Sequence, residues 1–170
     1  MSHKLNMLDI RNVQISGTCV AIGESESGKT IVVCYMLYLL HKYGGLFKPD
    51  DGGDIQKNVK FDAICVFSPN AEIFRKFVPS AFIYTQYSES RLYQILEMLK
   101  QIKKRRGQPA HVAIIFDDFA YDTRIVKSTL FAEFVANLRH QGTFLIYTTQ
   151  YLKWLPPAVR ANARMVIAMN

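Results

Sequence analysis

Two stretches of the 170-residue chain carry residue types that could do chemistry together. Residues 23–30 read GESESGKT, two glycines five positions apart with a lysine and a hydroxyl residue after the second. This is the G-x-x-x-x-G-K-[ST] spacing, in which backbone N–H groups surround a β-phosphate. Its lysine neutralises β- and γ-phosphate oxygens and its hydroxyl reaches a divalent cation. The backbones of Gly23, Glu24, Ser25, Glu26, Ser27, Gly28, Lys29, Thr30 and Ile31 are therefore the candidate nucleotide contacts. The two glutamates are no obstacle, because only the backbone of the variable positions must face phosphate. The second stretch is HVAIIFDD at residues 111–118, an apolar run that ends in two carboxylates. An acid at the end of a buried strand suits Mg²⁺, and an acid beside it can polarise an attacking water. Thr30 and Asp117 are the candidate metal ligands, Asp118 the candidate base, and ATP with Mg²⁺ the implied cofactor pair.

Two further residues take meaning from position. Gln150 closes the apolar run LIYTTQ at 145–150. If that run is a strand between the first strand and the strand ending at Asp117, Gln150 stands beside a γ-phosphate. Arg139 opens RHQG, just before the same strand, and so lies at its opposite end, too far to reach its own nucleotide. An arginine placed there makes sense as a finger offered to a neighbouring copy. Taken alone, Gln150 also reads as a surface loop residue and Arg139 as a solvated helix-end cation.

These groups need a frame, and the pattern of apolar runs supplies one. Residues 17–22 read as a strand, 30–43 as a helix and 48–54 as a polar connector. A second strand is expected at 61–67, a short helix at 71–77 and a strand-like piece at 81–85. Residues 88–106 have helical period, and four cations before Gly107 form a helix C-terminus. A third buried strand ends at the paired acids. A helix is expected at 127–140, a fourth strand at 143–148 and a fifth at 164–169. Continuous apolar strands separated by helices predict an α/β fold, a mostly parallel central sheet with helices on both faces. The reading is of a single domain over 1–170.

Composition sets the class. Hydrophobic residues are 49% and charged residues 21%, a globular balance. Net charge is +7, which suits a polyanionic partner such as nucleic acid. The longest apolar run, residues 31–40, is too short to span a bilayer, and no leader pattern opens the chain, so a soluble intracellular protein is expected. Cys19, Cys34 and Cys65 lie far apart in apolar stretches and read as buried reduced thiols. The four histidines show no metal spacing. Trp154 reads as loop packing, and the 100–106 cations as a solvated helix end or a DNA contact.

The segments GESESGKT, IIFDD, RHQGTFLIYTTQ and LPPAVRANARMVIAM together resemble the FtsK/HerA superfamily of hexameric DNA-pumping ATPases. Within it they resemble the poxvirus-type genome-packaging ATPases of large DNA viruses. The resemblance implies a RecA-like (ASCE) P-loop fold, ATP and Mg²⁺. It also implies a hexameric homo-oligomeric ring and sequence-independent double-stranded DNA as partner, with capsid proteins as further partners. The implied location is the host cytoplasm, at the viral factory, and the virion. It assigns catalysis to Lys29, Asp118, Gln150 and Arg139, with Arg160 and Arg164 as alternatives for the finger. One departure is that FtsK-like pumps carry Asp-Glu where this chain has Asp117-Asp118, whereas the packaging subgroup resembles the Asp-Asp form. Two other readings stay open: a small-molecule P-loop kinase, and an ATP-gated assembly scaffold.

Overall fold

The computed structural model describes residues 9–49, 52–119 and 122–169. Along the chain run β1 (Gly17–Ile22), α1 (Lys29–Tyr43), β2 (Gly45–Phe47), β3 (Gln56–Val59), β4 (Ala63–Phe67) and β5 (Ile83–Tyr84). There follow α2 (Glu89–Arg106), β6 (Val112–Phe116), α3 (Thr123–Lys127), α4 (Thr129–Ala136), β7 (Thr143–Thr149), α5 (Pro157–Asn162) and β8 (Ala163–Ala168). Six strands form one sheet in the order β5-β4-β6-β7-β1-β8, and every pairing in it is parallel. The strand ending at Gln150 thus does lie between β1 and the strand that ends at the paired acids.

Alternation along the strands divides the core between the two faces. Cys19, Ala21, Ala113, Ile115 and Ile146 pack with Val33, Leu37 and Leu40 of α1. Their neighbours Val20, Ile114, Phe116, Leu145 and Tyr147 pack with Leu92, Ile95 and Leu99 of α2 and Phe131 and Phe134 of α4. Both faces are covered, which is why the strands read as unbroken apolar runs. Burial pushes the Cys19 and Cys65 thiols up to about 12 and that of Cys34 up to about 11. No helix among the described residues is long and apolar enough to cross a membrane.

Several local expectations need correction. The helix expected at 127–140 corresponds to α4, which runs only from Thr129 to Ala136, and a separate short helix, α3, precedes it. Ser128 divides the two: its N–H donates to Ile125 O at 3.2 Å, and its hydroxyl caps α4 by accepting from Phe131 N at 3.0 Å. That hydroxyl also accepts from Tyr87 and donates to Glu89, so the side chain is committed to a cap rather than a helix interior. Residues 71–77 form a 3₁₀ helix over Ala71–Lys76. The strand-like 81–85 is a 3₁₀ turn, Ser80–Phe82, followed by two paired residues. The antiparallel β2–β3 pair around the polar connector and the short helix α5 were not expected. By contrast α2 starts and stops as its ends suggest. Ser88 Oγ accepts from Arg91 N, and Gly107 closes the helix at φ 74°.

Candidate nucleotide-binding site

The phosphate-type loop joins β1 to α1 at the C-terminal end of the sheet, where ligands of parallel α/β sheets bind. Gly28 stands at the N-terminus of α1 with φ 85°, and no side chain caps the helix there among the described residues. The first N–H groups of α1 and its dipole therefore face outward for an anion. Gly23 is required by close approach. A Cβ at this position would lie 2.6 Å from Ser27 Oγ and 2.8 Å from the Met169 carbonyl oxygen. Glu24, Ser25 and Glu26 are exposed, as expected of the variable positions. Glu26 takes φ 62°, a left-handed conformation rare outside glycine. Lys29 Nζ donates to Gly23 O at 2.8 Å and to Glu24 O at 2.5 Å, which holds the ammonium against the loop. Ile31 is 64% exposed, one turn into α1.

Asp117 follows β6 and is 3% exposed. Its Oδ1 accepts from Thr30 Oγ1 at 3.1 Å and from Thr148 Oγ1 at 2.9 Å; its Oδ2 accepts from Ser68 Oγ at 3.0 Å. Three separate segments thus deliver hydroxyls to one carboxylate, and the Thr30 contact joins the loop to the acid across 87 residues of chain. Burial pushes the Asp117 carboxyl above its ordinary value. The bonds from Thr148, Ser68 and Thr30 oppose the shift, and the neighbouring Asp118 charge adds to it. A cation at this corner would relieve that cost. A hard divalent ion takes oxygen donors, and here the Thr30 hydroxyl and the Asp117 carboxylate are already in contact. The donor set fits Mg²⁺.

Asp118 diverges from its neighbour. Its backbone takes φ 59°, its N–H donates to Thr148 Oγ1 at 3.0 Å, and its side chain is exposed. One hydroxyl, that of Thr148, therefore ties down both acids: it donates to Asp117 and accepts from Asp118. Gln150, half-buried, follows β7 and lines a cleft of about 430 Å³ with Ile22, Gly23, Glu24 and Met169. It stands beside the loop, as its expected place between β1 and β6 requires.

Arg139 is not part of this cluster. It precedes β7, whose seven residues span about 23 Å at 3.3 Å each. It is exposed and lines a cleft of about 360 Å³ at the N-terminal end of the sheet with Gly17, Thr18, Asn162 and Arg164. Arg164 is more constrained: its guanidinium donates to Gln14 Oε1 at 3.3 Å, and its aliphatic stem lies over Gly17. Arg160 is exposed on α5.

This frame recurs in solved structures. The chain is similar to the genome packaging NTPase B204 from Sulfolobus turreted icosahedral virus 2 in complex with AMPPCP. The TM-score is 0.61 and the identity 20%, over 91% of this chain and 74% of that one. The same viral NTPase in complex with ATP-gammaS gives a TM-score of 0.58 at 17% identity, over 92% and 75%. The N-terminal domain of zonular occludens toxin from Neisseria meningitidis gives 0.51 at 18%, over 90% and 76%. The chain shares with these structures the fold of a P-loop NTPase, a parallel central sheet with helices on both faces. At these identities the likeness is one of fold. No protein-family model and no curated protein sequence matches the chain.

Sequence reasoning missed Ser68 and Thr148 as partners of Asp117. Ser68 stands in SPN and Thr148 in TTQ, where a hydroxyl reads as a turn former or a strand residue. The available signal was their place: each sits at or just past the C-terminal end of a strand, level with the paired acids.

Proposed function

We propose that the chain is an ATP-hydrolysing motor that moves double-stranded DNA, in the setting of viral genome packaging. The observation that carries the ATPase part is the 3.1 Å bond between Thr30 of the loop and the buried Asp117. It brings a phosphate-holding element and a metal-holding carboxylate to one point at the C-terminal end of a parallel sheet. In this reading Lys29 leaves the loop carbonyls for β- and γ-phosphate oxygens, and Thr30 and Asp117 hold Mg²⁺. Bound there, the ion neutralises charge on the phosphate oxygens. Asp118, exposed beside the corner, accepts a proton from the attacking water, and Gln150 registers the γ-phosphate. Arg139 acts in trans within a homo-oligomeric ring, because its own nucleotide site lies a strand's length away.

The DNA part is supported by the fold likeness to a genome packaging NTPase and by the net charge of +7. Affinity for duplex should be insensitive to sequence and steep in salt, falling by about 10³ or more between 50 and 200 mM if six or more phosphates are contacted. Capsid proteins are the proposed further partners. Steady-state hydrolysis with and without duplex DNA tests the reading. Turnover should rise with any duplex added. A rate that duplex leaves unchanged would remove the DNA motor, and phosphate transfer to a small acceptor would replace it with a kinase.

A further inference from the structure

The phosphate loop accounts for the phosphates of a nucleotide and leaves its base and sugar without a seat. The order β6-β7-β1-β8 gives them a direction. The metal-holding corner at Asp117 follows β6, on one side of the loop, so the γ end of a triphosphate points that way. The nucleoside end must leave toward the other side, where β8 runs parallel to β1. What stands there is Met169. Its N–H donates to Ile22 O at 2.8 Å, which fixes its backbone against the start of the loop. Its side chain then runs along the loop: its Cβ is 3.1 Å from where a Cβ on Gly23 would stand, and its methyl carbon is 3.8 Å from the corresponding point on Gly28. Met169 is half-buried and borders, from the β8 side, the 430 Å³ cleft that Glu24 also lines and that Gln150 borders from the β7 side. That volume is ample for a purine and its ribose, within the usual range of small-molecule sites.

We infer that Met169 is the apolar platform on which the nucleobase of the bound nucleotide lies, so that the β8 side of the cleft, along Met169, is a purine nucleoside seat. The inference rests on the reading of residues 23–30 as a nucleotide loop. A thioether suits such a platform, being polarisable, unbranched and attracted to aromatic rings. Glu24, on the same cleft, can accept from the sugar hydroxyls. A phosphate-only ligand would gain nothing from this surface.

Calorimetry on the full chain in magnesium buffer separates the two levels, with ATP and inorganic tripolyphosphate as probes. Wild type should bind ATP more tightly than tripolyphosphate. Met169→Ala should weaken ATP about tenfold and leave tripolyphosphate within twofold, while Met169→Leu keeps both. Equal loss of both ligands in Met169→Ala would make Met169 a prop for the loop and overturn the inference, as would no loss of either. Equal binding of the two probes by wild type would remove the nucleoside seat yet leave the phosphate loop standing. Binding of neither would overturn both. A second measurement needs no variant: peroxide oxidation of Met169, read by mass spectrometry, should be slowed by ATP and not by tripolyphosphate. Equal rates under the two ligands would count against the seat.

Discussion

At the C-terminal ends of β6 and β7 a buried carboxylate is met by three hydroxyls. At the N-terminal ends of the same sheet exposed cations outnumber anions: Arg139, Arg164, and Lys103 to Arg106 at the end of α2, with Asp62 beside Arg106. The pairing of polar atoms differs as well. Among the described residues, the buried side-chain atoms without a hydrogen-bond partner are Thr18 Oγ1, His111 Nδ1 and Gln141 Oε1. All three flank the beginnings of β1, β6 or β7. One end of the sheet is thus tied together around a carboxylate from within the chain, while the other presents exposed charge. A second copy, presenting its nucleotide to Arg139, is the completion the proposed ring requires.

The strongest way to break this comparison is to remove the arginine. Arg139→Ala should keep nucleotide affinity and lose about 10³–10⁵ of the assembled hydrolysis rate, the contribution of a finger acting on a transferring phosphoryl. Mixed with Lys29→Ala, which keeps its arginine, it should recover part of the turnover, because each protein supplies what the other lacks. Wild-type activity per subunit should also rise with protein concentration. A mixture that stays inactive although mixed oligomers form would make Arg139 a surface charge, and the two ends of the sheet would then be functionally unrelated.

A smaller loss is expected at the C-terminal end itself. Asp118→Asn should bind ATP nearly as wild type and hydrolyse it about 10²–10⁴ times more slowly, since a general base acts chiefly in the chemical step. Single-turnover rates at saturating ATP measure this directly. Full activity would move the base elsewhere and reduce Asp118 to a neighbour of the buried Asp117 carboxylate.

The contrast between the two ends was partly legible in the sequence. The loop, the paired acids and Gln150 could be placed because each closes a continuous apolar strand, and buried parallel strands leave few alternative arrangements. Arg139 could be assigned to the far end because it precedes the strand that Gln150 follows. The internal completion of Asp117 could not be read. Thr30 was paired with Asp117 by its motif, but Ser68 and Thr148 come from two further elements far apart in the chain, and nothing local in their sequence says that their hydroxyls converge there. The break at Ser128 was hidden for a related reason. Apolar residues keep helical spacing from Phe131 through Phe134, Val135 and Leu138, and only the tertiary contacts with Tyr87 and Glu89 commit that serine to a cap.

Stability should report the same asymmetry without any nucleotide. Thr148→Val removes the donor to Asp117 Oδ1 and the acceptor of Asp118 N–H at once. It leaves a buried carboxylate short of a partner, which costs about 1–3 kcal/mol. Denaturant unfolding should show the midpoint falling with little change in slope. A neutral result would mean that water replaces the hydroxyl easily, and that the C-terminal end is less self-contained than its hydrogen bonds suggest.

The smallest effect is expected from a charge at the other end. Arg106 reaches Asp62 Oδ1 at 3.7 Å, and the two side chains are 56% and 47% exposed. A pair at that distance in solvent gains little Coulomb energy over its hydrated ions, and salt screens what remains. Asp62 would keep a second contact in any case, since its Oδ2 accepts from His111 N at 2.8 Å. Arg106→Ala should therefore move the melting temperature by less than about 2 °C, the shift that roughly half a kcal/mol gives a domain of this size. Repeating the melt in about 0.5 M salt, where the screening length falls to a few ångströms, should bring the two proteins still closer. A drop as large as that of Thr148→Val would show that the basic end contributes to holding the fold together. Its cations would then be structural partners rather than groups kept for a polyanion or a neighbouring subunit.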